Sequence, residues 1–148
     1  GWRLHRCAEE LDAGVFSRLR IPVNESETEF RAQLHNLALI LVDLLNEKSV
    51  IQGMDRVSGE RGLDKLKRFL VSNEYEYVDR DISLLRKVQQ MRSRIAAHTS
   101  GSGGRAFLEK ELGDRSYREY VVELIEESTQ MLLDLQRFAT SHASAHGG

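Results

Sequence analysis

The sequence predicts an all-α fold: an up-and-down bundle of four to five helices behind a short N-terminal arm. Three observations predict it. Apolar residues recur at steps of three and four through several long stretches, the pattern of amphipathic helices. Only one proline interrupts the 148 residues. Two stretches, Ser26-Glu27-Thr28-Glu29 and Ser116-Tyr117-Arg118-Glu119, have the form of a capping box, which starts a helix. The chain is long enough for one domain with its own core. At 41% hydrophobic and 30% charged residues it has the composition of a folded protein rather than a disordered one.

Residues 1–24 read as an arm packed on the bundle. Ala8 to Phe16 have the pattern of a short helix, and Leu19, Ile21 and Val23 suit an extended segment around Pro22. Trp2, Leu4, Leu11, Val15 and Phe16 give the arm an apolar side. The chain starts without methionine, so its numbering is expected to begin inside a longer protein or after a cleaved tag. Cys7 is the single cysteine. It allows no internal disulfide, suits a reducing compartment and reads as inert.

Residues 25–140 read as the bundle. Phe30, Leu34, Leu37, Leu41 and Leu44 mark one stripe, and Leu39, Ile40, Val42 and Leu45 widen it almost all the way round. Such a helix is buried on several sides and belongs in the middle of a bundle or a dimer. His35, within it, reads as a hydrogen-bonded structural histidine, and Asp43 as a partner for an inward-facing arginine. Gln52 to Arg61, with Gly53 and Gly59, is a turn region. A helix follows from about Gly62 to Asn73 on Leu63, Leu66, Phe69 and Leu70.

The next helix, Val78 to His98, carries the main functional clue. Val78, Ile82, Leu85, Val88, Met91 and Ile95 form its apolar stripe. At about 100° per residue, Arg92 falls within roughly 30° of the stripe centre, Arg94 on the far side, and His98 on the flank at the helix end. Asp79 or a neighbour caps this helix, and Asp81 sits in its first turn, where its charge suits the dipole. A guanidinium stays charged and is costly to bury alone. An inward Arg92 therefore lines a cleft or interface, or meets an acid.

Thr99 to Gly104 read as a flexible flap, Arg105 to Leu112 as a short helix stopped by Gly113. The flap lacks a preceding strand and the Gly-Lys-Ser/Thr signature of a nucleotide loop. The last helix carries Tyr117, Tyr120, Val121, Leu124, Met131, Leu135 and Phe138. Residues 141–148 read as a disordered tail, too frayed for His142 and His146 to hold a metal.

Net charge is −2, but it is unevenly spread. Ile82 to Leu108 hold Arg86, Lys87, Arg92, Arg94 and Arg105 and no acid, whereas Glu119 to Glu127 hold four acids and no base. A local basic patch suits a phosphate-bearing ligand. The competing reading is a solvated face neutralised by acids such as Glu123, Glu126 and Glu127. No apolar run reaches the roughly 18 residues of a membrane span. The opening residues have no signal core, so we expect a cytoplasmic protein without membrane contact. No serine-hydrolase elbow, zinc motif or Cys-x-x-Cys is present, and we expect no metal or cofactor.

What remains is Arg92-x5-His98. An arginine clamps phosphate and a histidine exchanges a proton near neutral pH. Together they suffice for metal-free cleavage of RNA, whose 2′-hydroxyl supplies the nucleophile. An all-helical bundle with Arg-x4-6-His near the end of its third major helix resembles the HEPN family (higher eukaryotes and prokaryotes nucleotide-binding). The resemblance spans roughly Asn24 to Ala139 and rests on helix order, on the run from Leu84 to His98 and on the long last helix.

This resemblance implies a homodimer in which two Arg–His pairs face one cleft. It also implies a metal-independent endoribonuclease or RNA-binding domain of a bacterial toxin–antitoxin or antiphage system, whose partners include an antitoxin or an upstream domain of the same chain. Arg92 and His98 would be catalytic, and Ser93, Arg94, Arg86 and Arg105 would bind substrate. The family has Asn, Asp or His directly after the arginine where this chain has Ser93, a hydroxyl that does not titrate usefully. Arg94 and His98, four apart, form a rival pair. Two other readings stand beside this one. One is a non-catalytic dimerisation or interaction module at the C-terminus of a larger protein, with Arg92 paired to Asp43 or Glu123. The other is a small-nucleotide binder.

Overall fold

The computed structural model describes residues 14–43, 45–97 and 102–145. Among them are seven α-helices, one π-helical turn and no β-strand. The helices are α1 (Gly14–Arg18), α2 (Glu27–Ala38), α3 (Glu47–Val50), α4 (Gly62–Ser72), α5 (Val78–Ala97), α6 (Ser102–Leu112) and α7 (Tyr117–Ala145), with the π-turn at Leu39–Asp43. The all-α expectation is met. Five helices have at least 11 residues, and the short α1 and α3 add to the expected four to five.

Cross-helix contacts set the topology. Phe30 stacks on Tyr117 and meets Tyr120 edge-on, so α2 and α7 run side by side in one direction. Arg80 binds Asp134 and Lys87 binds Glu127, so α5 runs against α7. Asp64 of α4 binds Arg86, and α4 also lies antiparallel to α5. The helix touching α2, α4, α6 and α7 is α5, so the centre of the bundle is α5 rather than the helix of the Phe30–Leu44 stripe. Every residue of the α5 apolar stripe, from Val78 to Ile95, is buried. Apart from the buried Asp81, the charged residues of α5 are exposed or half-buried, so a helix rich in charge still holds the core together.

The helix starts follow the capping chemistry. Ser116 and Glu119 form the full reciprocal box: Glu119 N–H donates to Ser116 Oγ at 3.1 Å and Ser116 N–H to Glu119 Oε2 at 2.8 Å. The first box is only half made. Glu29 N–H donates to Ser26 Oγ, but Ser26 N–H is taken by Asn24 Oδ1. The Glu29 carboxylate binds Arg20 and Gln33 instead.

At the end of α4, Glu74 stands at φ 55°, a left-handed position that closes the helix, with its N–H on Val71 O. A Cβ makes that conformation costly, whereas glycine adopts it freely. Glu74→Gly is therefore expected to stabilise the fold by about 0.5–1 kcal/mol, read as a higher urea midpoint at unchanged slope.

Four expectations are corrected. The arm helix occupies Gly14–Arg18, with Ala8 to Ala13 outside the described residues. Ser102 to Gly104 are the first turn of α6, not part of a flap, and Thr99 to Gly101 lie outside the described residues. Residues 141–145 continue α7 rather than fraying, while 146–148, with His146, lie outside the described residues. Asp81 does not simply complement a dipole, because its carboxylate is buried and hydrogen-bonded by Tyr75 and Arg80. No helix among the described residues is long and apolar enough to cross a membrane.

Candidate functional site

Of the predicted residues, Arg92 and Asp43 meet where the π-turn packs on the last turns of α5. Arg92 Nη1 donates to Asp43 Oδ2 at 2.6 Å. The Arg92 side chain is 23% exposed and that of Asp43 38%. Arg92 is thus less deeply buried than its place on the helical wheel implies. Its aliphatic stem lies on the packed side while its head reaches out, as long basic side chains do.

The acid that meets it is Asp43, one of the two candidates read from the sequence. The other, Glu123, binds Arg115. Asp43 closes the π-turn, whose wider winding lags the α-helical register and brings the carboxylate round towards α5. Single π-turns of this sort recur at functional sites.

A second contact joins α2 to the end of α5. Arg31 of α2 donates through Nη1 to the Ile95 carbonyl at 2.9 Å, and its other guanidinium nitrogens bind Glu27. It satisfies one of the open carbonyls at the end of α5 and sets positive charge against the negative end of the helix dipole. Arg31 was not singled out by sequence. Its only local sign is the Glu27–Arg31 spacing of four, which many surface helices share.

Around this end of α5 lie more bases. Arg94 is exposed and its guanidinium sits 5.0 Å from the centre of the Phe107 ring, a cation–π contact with α6. Arg105 is exposed on α6. Burial pushes the Tyr117 hydroxyl above its ordinary pKa, with Glu27 adding to the rise, and Arg105 and Arg31 both act against it. Two bases on different helices therefore lie within electrostatic reach of one phenol. Ser93 is exposed on α5.

Two predictions separate from this cluster. Arg86 pairs with Asp64 at 3.0 Å and belongs to the α4 side of α5. Lys87 pairs with Glu127 at 3.3 Å, so that part of the basic patch is neutralised by α7 as its acids foretold. His98, the expected proton carrier, lies outside the described residues. His35 is exposed and its side chain makes no hydrogen bond with the described residues, so it is not the bonded structural histidine expected.

The arrangement offers a permanently charged head held by one exposed carboxylate, with Arg31 on the Ile95 carbonyl and Arg94 on Phe107 close by at this end of α5. It can hold an anion. A surface ion pair of this kind is worth about 1 kcal/mol or less. A phosphate oxygen can displace Asp43 at small cost. No group of three or more metal-ligating side chains occurs among the described residues. No protein-family model, no curated protein and no solved structure matches this chain.

Proposed function

We propose that the chain is a HEPN-like helical domain that binds RNA through its phosphodiester backbone at the Arg92 end of α5 and cleaves it. Arg92 neutralises the phosphate. The 2′-oxygen attacks phosphorus and gives its proton to His98. The bond from phosphorus to the 5′-oxygen breaks, and that oxygen takes a proton back. The products are a 2′,3′-cyclic phosphate and a free 5′-hydroxyl. Each step is proton transfer and charge neutralisation, which an arginine and a histidine supply without a metal. In this reading the protein is a cytoplasmic homodimer of a toxin–antitoxin or antiphage system.

The observation that carries the proposal is the half-exposed Arg92 head held by a single exposed carboxylate, Asp43, at an end of α5 near which Arg31 and Arg94 also lie. The same Arg92–Asp43 pair favours a second reading, a non-catalytic interaction module in which the pair only ties the π-turn to α5. An assay of single-stranded RNA cleavage in excess EDTA separates the two. The native chain is expected to produce cyclic-phosphate ends, with Arg92→Ala and His98→Ala each slower by at least about a hundredfold, the usual worth of one charge-stabilising or proton-transferring group. Equal cleavage by all three proteins, or none by the native chain, removes the ribonuclease reading.

A further inference from the structure

Helix α7 packs most closely on α2 and α5. It meets α2 through Tyr117 and Tyr120 and α5 through Glu127 and Asp134. At about 100° per residue, Thr129, Leu132, Leu133 and Gln136 fall on a different side, centred roughly 160° from the residues that bind α5. All four are exposed, the two leucines by 37% and 43%. A single exposed leucine is ordinary, whereas a pair on an uncharged helix face marks a contact surface. Thr129 donates its hydroxyl to the Ile125 carbonyl at 2.7 Å, so its polar group is satisfied within the helix and needs no water.

One edge of this face is charged, with both signs present. Glu126 and Arg137 stand eleven residues apart, each about 70–90° from the face centre and on the same side of it. Glu126 is exposed and makes no ion pair or hydrogen bond with the described residues. The Arg137 side chain is 75% exposed and reaches only Asp134, at 3.5 Å. When two identical helices lie antiparallel about a twofold axis, each edge meets the same edge of its partner. The axis that sets Glu126 level with the partner's Arg137 passes midway between them in the sequence, between Met131 and Leu132. The exposed leucines stand at that same point. Charge and apolar surface thus select one axis independently.

We propose that α7 joins two copies of this chain, antiparallel about that axis, with Leu132 and Leu133 of both copies at the centre and two Glu126–Arg137 pairs outside them. The proposal builds on the homodimer of the reading above and names the face that makes it. Because α5 lies on the far side of α7, the two Arg92 sites fall on separate outer flanks. Each is then complete in its own chain, unlike the one shared cleft that the family resemblance implies. A contact of one helix on another is smaller than a standard interface, so the dimer dissociates in the micromolar range.

Sedimentation velocity of the full chain over a concentration series at low ionic strength tests this, with circular dichroism to confirm that each variant is folded. Leu132→Glu/Leu133→Glu is expected to be monomeric where the native chain is dimeric. Glu126→Arg and Arg137→Glu are each expected to weaken the dimer about tenfold, because the twofold axis repeats every lost pair and turns it into a repulsion. The double reversal restores opposite charges and is expected to return the affinity to within a factor of about two of native. A native chain that stays monomeric, a leucine variant that dimerises as the native chain does, or a double reversal no tighter than the weaker single each overturns the proposal.

RNA cleavage keeps this apart from the reading it builds on. The monomeric leucine variant is expected to cut as fast per chain as native protein, and a folded monomer that no longer cuts overturns the separate sites. A native chain that dimerises without cutting removes the ribonuclease reading and leaves the α7 dimer standing.

Discussion

Phe30→Ala is expected to lower the unfolding free energy by about 3–5 kcal/mol, the range for emptying a buried phenylalanine site. In a domain of this size that corresponds to a fall in Tm of roughly 10–15 °C. Phe30 is fully buried. Its ring lies 4.5 Å from that of Tyr117 in a stacked pair and 6.1 Å from Tyr120 edge-on. Truncation therefore leaves two aromatic faces without a partner as well as a cavity, and aromatic pairs carry energy beyond their area. Both tyrosines belong to the first turn of α7, which Glu25 also holds through the Tyr117 N–H. The relaxation needed to fill the hole would have to shift α7 against that anchor, so the cavity should stay largely open. Phe30→Leu keeps most of the volume and is expected to cost about 1 kcal/mol. Urea unfolding with a common slope measures both. A loss below about 1 kcal/mol for the alanine variant would show that the seam between α2 and α7 is not where the bundle is anchored.

The same seam shows what sequence could and could not reveal. Burial of Val78, Ile82, Leu85, Val88, Met91 and Ile95 was legible because a helix converts spacing directly into direction. The Ser116 box was legible because both of its bonds are local. Ser26 was half-legible, since Asn24 competes for the same N–H from two residues away. Ser102 to Gly104 were misread because serine and glycine signal a loop by composition, yet Gly104 is buried in the first turn of α6. Residues 141–145 were misread for a related reason: the polar letters hid alanines with high helix propensity.

At the candidate site, the wheel placed Arg92 correctly on the packed side but could not say how far its head would travel. Arg31 was not legible as a site residue at all. Its bond to the Ile95 carbonyl exists only once two antiparallel helices are aligned, and no local pattern encodes that register.

The second large effect is expected at Asp81, which is 1% exposed and accepts hydrogen bonds from the Tyr75 hydroxyl at 2.6 Å and Arg80 Nε at 2.7 Å. Asp81→Ala leaves the Tyr75 hydroxyl buried without its acceptor and is expected to cost about 3 kcal/mol, within the range for removing one member of a buried charge-assisted network. Burial first, and then the bond to Asp81, hold the Tyr75 phenol far above its ordinary pKa, so the donor stays intact through alkaline pH. Tyr75→Phe removes the stranded hydroxyl. The Asp81→Ala/Tyr75→Phe double variant should therefore lose clearly less than the sum of the single losses, whereas strict additivity would mean that Asp81 acts through Arg80 alone.

Arg80 continues the network to Asp134 at 2.8 Å. That bond, followed by the one from Gln130, holds the Asp134 carboxyl below the usual carboxylate range. A carboxyl that ionises at lower pH when folded contributes its full stability above the unfolded pKa of about 3.9 and loses it as pH falls through the folded value. The stability gap between the native chain and Asp134→Asn should accordingly be widest near neutral pH and close under acid. A gap that stayed constant down to pH 3 (roughly one unit below the unfolded carboxyl) would mean that Asp134 holds α7 to α5 by shape and not by charge.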